Sequence, residues 1–330
     1  MKDLKIIASQ MVANGKGILA ADESTPTCSK RFNAVGIEST EYNRNKYRSV
    51  LFSTEGLNEY VSGVILYDET FYQNQISTDI TIPKYLNSKN ILAGIKLDTG
   101  AKILANHNPE KITEGLDGLR DRVIQYHKKG ASFAKWRAVI TIGDNIPSHT
   151  CINANCHALA RYASLCQENG LVPIVEPEIL MDGKHTIEEC YKVTNNTLQI
   201  LFQQLELFQV DLEAIILKPN MVLPGNISGQ KVDNDTIAKL TFDALHNNVP
   251  PSVPGIAFLS GGQSSDHATE RLNCLNKLHI NQNPWKLTFS YGRALQEDAL
   301  KAWAKNNDQE AQKALIYRTK MNHLASLGKI

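Results

Sequence analysis

The sequence predicts an α/β protein folded as one closed (β/α)8 barrel, the TIM-barrel architecture, forming a single domain over residues 1–330. Eight short β-rich segments end in polar or glycine residues, and helical patterns separate them. The segments are near-continuous apolar runs, as expected of parallel strands buried on both faces. Eight such units without a Pro- or Ser-rich linker favour one barrel over two doubly wound domains.

The predicted strands follow one another in a regular order, and amphipathic patterns such as "GLDGLRDRVIQYHKKGA" and "INANCHALARYASLCQENG" predict the helices between them. Gly130 and Gly170 stand where helix C-termini commonly carry a glycine. A short N-terminal helix and a C-terminal helical segment flank the eight units. The strands are Gly17–Asp22, Ser62–Glu69, Ile91–Asp98, Ser132–Ile140, Leu171–Ile179, Ala214–Asn220, Gly255–Gly262 and Trp285–Arg293.

Composition excludes several classes of function. The 330 residues are 42% apolar and 21% charged, with a net charge of +1, so a strongly basic nucleic-acid surface is not expected. No apolar stretch is long enough to cross a membrane, and the N-terminus lacks the features of a secretory signal. Six cysteines form no CxxC pair. The sequence therefore predicts a cytoplasmic, reduced protein that binds neither nucleic acid nor membrane.

Motif searches exclude three cofactor chemistries. The nine histidines form no HxH, HxxH or HExxH group, so no metal site is expected. No Gly-rich dinucleotide fingerprint follows a strand. The string "LSGGQ" (Leu259–Gln263) also occurs in ABC-transporter ATPases, but the GxxxxGK[ST] phosphate loop that this reading requires is missing. No cofactor is therefore predicted.

Charged and glycine residues terminate nearly every predicted strand. In barrels of this kind the active site lies at the C-terminal ends of the strands, so these residues are expected to meet at one mouth. They are Asp22, Asp68, Glu69, Lys96, Asp98, Lys135, Arg137, Glu176, Glu178, Lys218, Ser260, Gly261, Gly262, Gly292 and Arg293.

Three of these residues are lysines within or at the end of apolar strands. The simplest interpretation of Lys218, in "AIILKPNMV", is a packed stem with its ammonium in water. Clustering with Lys96 and Lys135 favours another one, because burial and like charge lower the pKa of an amine. A neutral lysine attacks carbonyl carbon, so the cluster predicts one nucleophile and two electrostatic partners.

The carboxylates at the mouth suit proton transfer. Glu176 and Glu178 are two apart in "VEPEI", so both point to one face of a strand, and their proximity is expected to raise one pKa. That pair fits general acid–base work, or a simple balance of the nearby lysines. Asp22 is interpreted either as a base for a substrate hydroxyl or as a helix cap.

Glycine-rich loops are expected to bind phosphate. "FLSGGQSS" and "SYGRA" follow the last two strands, a recurrent phosphate site in barrels. Glycines allow backbone N–H groups to approach an anion, the next helix N-terminus favours negative charge, and Arg293 offers a bidentate contact.

These segments closely resemble class I fructose-1,6-bisphosphate aldolase, over nearly the whole chain. The similar motifs are "GKGILAADEST", "FAKWR", "VPIVEPEIL", "ILKPNMV", "FLSGGQS" and "LTFSYGRALQ". The resemblance implies that Lys218 forms the Schiff base, that Glu176 with Glu178 is the acid–base group, and that Asp22 and Lys135 assist. It implies substrate binding by Arg31, Ser260, Gly261, Gly262, Ser290, Gly292 and Arg293, with Lys96, Arg137, Ser24 and Thr27 in the same cleft.

The resemblance also implies the reaction, a reversible cleavage of fructose 1,6-bisphosphate to dihydroxyacetone phosphate and glyceraldehyde 3-phosphate. It places the enzyme in glycolysis and gluconeogenesis, without a metal or cofactor and as a homotetramer. Animal members end in a tail whose terminal tyrosine aids enamine protonation. This chain ends in "HLASLGKI" and its last tyrosine is Tyr317, so another group or water is expected to serve that step.

Alternative functions remain open from sequence. A transaldolase or pentose-phosphate aldolase would use the same Schiff-base chemistry on another sugar phosphate. A barrel without activity, used as a scaffold or binding protein, would also preserve the fold.

Overall fold

Ten strands form in the part of the chain that the computed structural model describes, residues 4–278 and 283–330. All eight predicted strands are present, and two further short strands were not predicted. The strands are β1 Gly17–Ala21, β2 Val61–Leu66, β3 Leu92–Lys96, β4 Gly100–Ile103, β5 Lys111–Glu114, β6 Phe133–Ile140, β7 Val172–Ile179, β8 Ile216–Leu217, β9 Gly255–Phe258 and β10 Lys286–Tyr291.

Eight of these strands close into a barrel in the order β1-β10-β9-β8-β7-β6-β3-β2. Every neighbouring pair is parallel, and β6 with β7 has the longest register, from Phe133 opposite Val172 to Ile140 opposite Ile179. The predicted (β/α)8 barrel is therefore confirmed. Strand β8 is shorter than predicted because Pro219 has no N–H group to continue the ladder.

Helices fill the connections between the barrel strands. The predicted helix ends at Gly130 and Gly170 are confirmed, since these glycines follow the helices Leu119–Lys128 and His149–Glu168 and adopt φ of +106° and +83°. None of the described helices has the length and apolar character needed to cross a bilayer. The helices are α1 Leu4–Met11, α2 Thr25–Asn33, α3 Glu41–Phe52, α4 Leu57–Tyr60, α5 Asp68–Tyr72, α6 Ile82–Ser88, α7 Leu119–Lys128, α8 His149–Glu168, α9 Ile187–Leu207, α10 Asn234–Asn248, α11 Ser265–Leu278, α12 Arg293–Trp303 and α13 Asp308–Ser326.

The connection from β3 to β6 contains the two strands that were not predicted. β4 and β5 pair antiparallel as a separate hairpin, with Gly100 opposite Glu114. Their four-residue segments, "GAKI" and "KITE", are largely exposed and too short to show an apolar alternation. The Asp98 carboxylate, at the end of the preceding strand, accepts a hydrogen bond from Gly100 N and ties the hairpin to the mouth.

The inside of the barrel is a dry apolar core, closed at its lower end by α1. Ile7, Ala8 and Met11 of this helix pack against inward-facing strand residues, which include Ile174 and Ile216. Burial of this apolar surface stabilises the closed barrel. The C-terminal ends of the strands therefore emerge from an apolar floor, and any charged group there is partly desolvated.

Two glycines make room for the largest side chain of this inner core. A Cβ atom on Gly94 would lie 2.2 Å from the ring of Phe133, and one on Gly63 would lie 2.8 Å from the same ring. Contacts this short force a side chain or strand to move. Glycine at these positions therefore allows Phe133 to fill the barrel.

We expect Gly94→Ala to lower the free energy of unfolding by about 2 kcal/mol, because the new methyl group overlaps the Phe133 ring. Chemical denaturation of both proteins measures the difference. Phe133→Leu is the matched background for a control. In that background, Gly94→Ala should lower the free energy of unfolding by less than it does in the wild type, because the overlapping ring is gone. An unchanged denaturation midpoint for Gly94→Ala would contradict this account.

Candidate active site

Four charged side chains from four different parts of the barrel form a continuous chain at the mouth. Lys218 Nζ lies 3.5 Å from Glu176 Oε1, and Lys135 Nζ lies 3.2 Å from Glu176 Oε2. Lys135 Nζ also donates a hydrogen bond to Asp22 Oδ2 at 3.0 Å. Asp22 and Lys218 directly follow β1 and β8, whereas Lys135 and Glu176 lie within β6 and β7. Closure of the barrel thus brings together groups far apart in sequence.

Lys218 is the most desolvated amine of this group, with 3% of the residue exposed. The simple interpretation from sequence, an ammonium that reaches water, is therefore wrong. Burial lowers the pKa of Lys218 below the usual lysine value, while Glu176 opposes that shift and the positive charge of Lys135 adds to it. The neutral, nucleophilic form of the amine is correspondingly easier to reach.

Lys135 titrates in the opposite direction, which corrects the expectation that clustered lysines all lower one another's pKa. Burial acts to lower the pKa of Lys135, but the carboxylates of Asp22 and Glu176 outweigh it and raise the pKa above the usual range. Burial acts to raise the pKa of Asp22, and Lys135 with Lys218 outweighs it and lowers that pKa. The cluster thus holds one charged lysine beside one that readily becomes neutral.

The two glutamates of β7 share a face of the strand, as predicted, but they have different partners. Glu176 lies between Lys135 and Lys218, whereas Glu178 accepts a hydrogen bond from Arg137 Nε. Both glutamates are buried. One carboxylate therefore lies beside the candidate nucleophile, and the other holds a cation at the rim of the cleft.

Lys96 is held by a residue that the sequence analysis noted at a strand end but gave no role. Its Nζ lies 2.5 Å from Asp98 Oδ1 and donates to the Asp98 backbone carbonyl at 2.8 Å. Asp98 Oδ2 accepts from the backbone N–H of Arg137 at 3.2 Å. The buried Asp98 therefore fixes the ammonium of Lys96 against β6. In the sequence, the indication of this contact was that Asp98 follows Lys96 by two residues.

The loops after β9 and β10 have the features of an anion site. Gly261 adopts φ of +54°, a left-handed conformation that favours glycine, and Gly262 follows it directly. The buried Ser290 hydroxyl has no hydrogen-bond partner within the described residues. Helix α12 begins at Arg293, directly after Gly292, and its N-terminal N–H groups attract negative charge.

Ser260 and Arg293 belong to the same two loops. Ser260 is buried. Arg293 donates from Nη2 to the backbone carbonyls of Gly261 and Gln263, at 3.2 and 3.3 Å. The arginine of the β10 loop is thus braced against the β9 loop, and the two glycine-rich segments form one surface.

Ser24, Thr27 and Arg31 lie at or in α2, above Asp22. Ser24 Oγ and Thr27 Oγ1 are 3.2 Å apart, and Ser24 occupies the N-cap position. The alternative interpretation of Asp22 as the helix cap is therefore wrong, since its carboxylate is bound to Lys135. Arg31 pairs with Glu23 at 2.5 Å, and the sequence analysis gave Glu23 no role.

Comparisons with known proteins agree on one family. A family model described as fructose-bisphosphate aldolase class-I matches residues 3–330. The chain is 51% identical to a probable fructose-bisphosphate aldolase class 1 of Xylella fastidiosa, covering 100% of this chain and 98% of that protein. It is 52% identical to the cytosolic fructose-bisphosphate aldolase 4 of Arabidopsis thaliana, covering 95% of this chain and 80% of that one.

The fold is shared with a solved structure. The fructose-bisphosphate aldolase of Plasmodium falciparum, crystallised with TRAP and a small-molecule inhibitor, matches with a TM-score of 0.96 at 45% identity. The match covers 99% of this chain and 94% of that one.

We expect Asp22→Asn to cost about 2 kcal/mol of stability at pH 7, because the folded protein lowers the pKa of Asp22. A lowered folded pKa stabilises the protein above the unfolded value of about 3.9, and the effect is lost as pH falls from there. Urea denaturation at pH 7 and pH 3 should therefore show a difference that shrinks in acid. Asp144→Asn, at an exposed position without an ion pair in the described residues, is the control and should show none.

Proposed function

This chain belongs to the class-I fructose-bisphosphate aldolase family, and we propose on that premise that Lys218 is its Schiff-base residue. The protein is a lyase of glycolysis that cleaves fructose 1,6-bisphosphate reversibly to dihydroxyacetone phosphate and glyceraldehyde 3-phosphate, through a lysine imine and without a metal. The observation that carries the proposal is the buried Lys218, whose pKa is lowered while that of the neighbouring Lys135 is raised.

In the first half of the reaction, the neutral Lys218 amine attacks the ketone carbon of the substrate and forms a carbinolamine. Glu176, 3.5 Å from Lys218 Nζ, takes the proton that the attacking nitrogen loses and returns it to the carbinolamine hydroxyl, which leaves as water. The product is an iminium, which accepts the electron pair of the neighbouring carbon–carbon bond as that bond breaks.

In the second half, a base removes the proton from the C4 hydroxyl, and the aldehyde product leaves. Asp22 and Lys135 support this step, since their ion pair lies beside Glu176 and keeps both groups charged. The remaining enamine takes a proton at carbon, and water then hydrolyses the imine to release dihydroxyacetone phosphate. Glu178 holds Arg137 at the rim of the same cleft.

Two sets of groups are proposed to bind the substrate phosphates. The first surrounds the β9 and β10 loops, and its support is the unpartnered buried hydroxyl of Ser290 and the start of α12. The second lies towards α2 and β3. The residues are Ser260, Gly261, Gly262, Ser290, Gly292 and Arg293 in the first set, and Ser24, Thr27, Arg31, Lys96 and Arg137 in the second.

Three further properties are part of the proposal. We place the protein in the cytoplasm, with support from a relative that is named cytosolic. We take residues 1–330 as a single functional domain, since the barrel strands span most of the chain. The homotetramer implied by the resemblance to the family is proposed as well.

Borohydride trapping with dihydroxyacetone phosphate, followed by peptide mass mapping, tests Lys218 directly. We expect one reduced adduct on Lys218, unaffected by a chelator, and an aldol cleavage rate about 10³-fold lower or worse in Lys218→Arg. An adduct on Lys135 or Lys96 would overturn the assignment of roles. A folded protein without any adduct would favour the alternative, a barrel without activity that serves as a scaffold.

We expect Lys135→Met to move the pH dependence of imine formation upward by about one unit. The substitution removes a positive charge that lowers the pKa of Lys218 and frees Glu176, whose charge raises it. Less amine is then neutral at any fixed pH. Trapping rates from pH 6 to 10 measure the shift, and Lys313→Met, at an exposed position, should leave the profile in place. A downward shift would contradict the electrostatic account of Lys218.

A further inference from the structure

Glu23 follows the proposed catalytic Asp22 and lies between two arginines. Its Oε1 accepts a hydrogen bond from Arg31 Nη1 at 2.5 Å and one from Gln296 Nε2 at 2.9 Å. Its Oε2 lies 3.6 Å from Arg48 Nη2. The carboxylate is only 9% exposed, whereas Arg31 is 29% exposed. The buried partner is therefore Glu23, and the arginine is the more exposed of the two.

We propose that Glu23 is a positioning residue that holds Arg31 in place for a substrate phosphate. The inference rests on the proposed function of Arg31 as a phosphate ligand. It adds a residue that acts through Arg31 and does not itself contact the substrate. Such pre-organisation lowers the entropy that binding must otherwise overcome.

Arg48 fixes Glu23 from below. Only 1% of the Arg48 side chain is exposed, and it donates to the Glu23 backbone carbonyl and to Thr70 Oγ1, both at 2.7 Å. A buried arginine with fixed partners cannot follow a moving carboxylate without losing its own hydrogen bonds. Glu23 is thus held by its backbone, by Arg48 and by Gln296, independently of Arg31.

The pairing leaves most of the Arg31 guanidinium available. Within the described residues, Arg31 hydrogen-bonds through Nη1 alone, so Nε and Nη2 keep their donors. An arginine offers five N–H donors in a fixed fork, and a phosphate needs two of them. Arg31 also lines the same cavity of about 220 Å³ as Arg293.

The charges agree with this role. Arg31 and Arg48 carry two positive charges against one on Glu23, so the group keeps a net positive charge for an anion. Arg31 can donate to a phosphate through Nε and Nη2 while Nη1 stays on Glu23. Arg48 and Gln296 also stay on Glu23, so phosphate binding leaves no buried carboxylate unpaired.

We expect Glu23→Gln to raise KM for fructose 1,6-bisphosphate about tenfold with a smaller change in kcat, since Arg31 loses its charged anchor but Lys218 keeps its surroundings. Glu23→Asp keeps the charge and should recover part of the loss. Glu110→Gln is the matched control: Glu110 is also a buried carboxylate, it accepts a hydrogen bond from the Ser148 N–H, and it touches neither Arg31 nor Arg48. It should lower thermal stability and leave KM in place.

A double-mutant cycle with Arg31→Ala identifies the route of the effect. If Glu23 acts through Arg31, Glu23→Gln adds almost nothing to KM in the Arg31→Ala background. An equal rise in both backgrounds, an unchanged KM in the single variant, or a lower KM would each overturn the proposal. If Glu23→Gln does not fold, the same comparison is made with Glu23→Asp.

Borohydride trapping on Lys218 separates this inference from the proposed function. Trapping in the wild type and in Glu23→Gln together with an unchanged KM would refute the positioning role alone. No trapping and no cleavage in the wild type would refute the assignment of Lys218, on which the role of Arg31 also depends.

Discussion

The carboxylate of Glu176 lies between two lysines whose pKa values shift in opposite directions. One oxygen is 3.2 Å from Lys135 and the other 3.5 Å from Lys218. Lys135 has Asp22 as a second carboxylate partner, which raises its pKa, whereas Lys218 has no second ion-pair partner within the described residues and burial lowers its pKa. The same mouth thus provides a charged lysine and a nucleophilic one, because the carboxylates are distributed unequally between the two amines.

The apolar interior of the barrel strengthens this difference between the two pKa values. Below the charged groups the inner core is apolar, and α1 closes the far end with Ile7, Ala8 and Met11. In such surroundings an interaction between charges is stronger than in water, and an uncompensated charge is more costly. Phe133 packs closely against Gly63 and Gly94 and so fills the apolar core below the charged groups.

Three cations around the proposed cleft share a second pattern, in which a buried carboxylate fixes each of the three. Lys96 is held by Asp98, Arg137 by Glu178, and Arg31 by Glu23. A long basic side chain without such a partner would sample many rotamers, and a phosphate would have to order it on binding. In the proposed substrate site, the carboxylates therefore pre-organise these cations while they limit the net positive charge.

The sequence by itself predicted the eight barrel strands and the charged residues at their ends, because apolar runs with polar ends report burial locally. Ser24, Thr27, Arg31 and Ser290 were predicted from the resemblance to the family alone. Only the tertiary structure decided which charges pair. Lys135 and Asp22 are 113 residues apart, and their contact exists only after the barrel closes. The opposite titration of Lys135 and Lys218, the bond that makes Asp22 an ion-pair partner instead of a helix cap, and the hydrogen bond from Gln296 to Glu23 all depend on such contacts. They could not be read from local pattern, since a pKa or a side-chain position is set by neighbours in space and not in sequence.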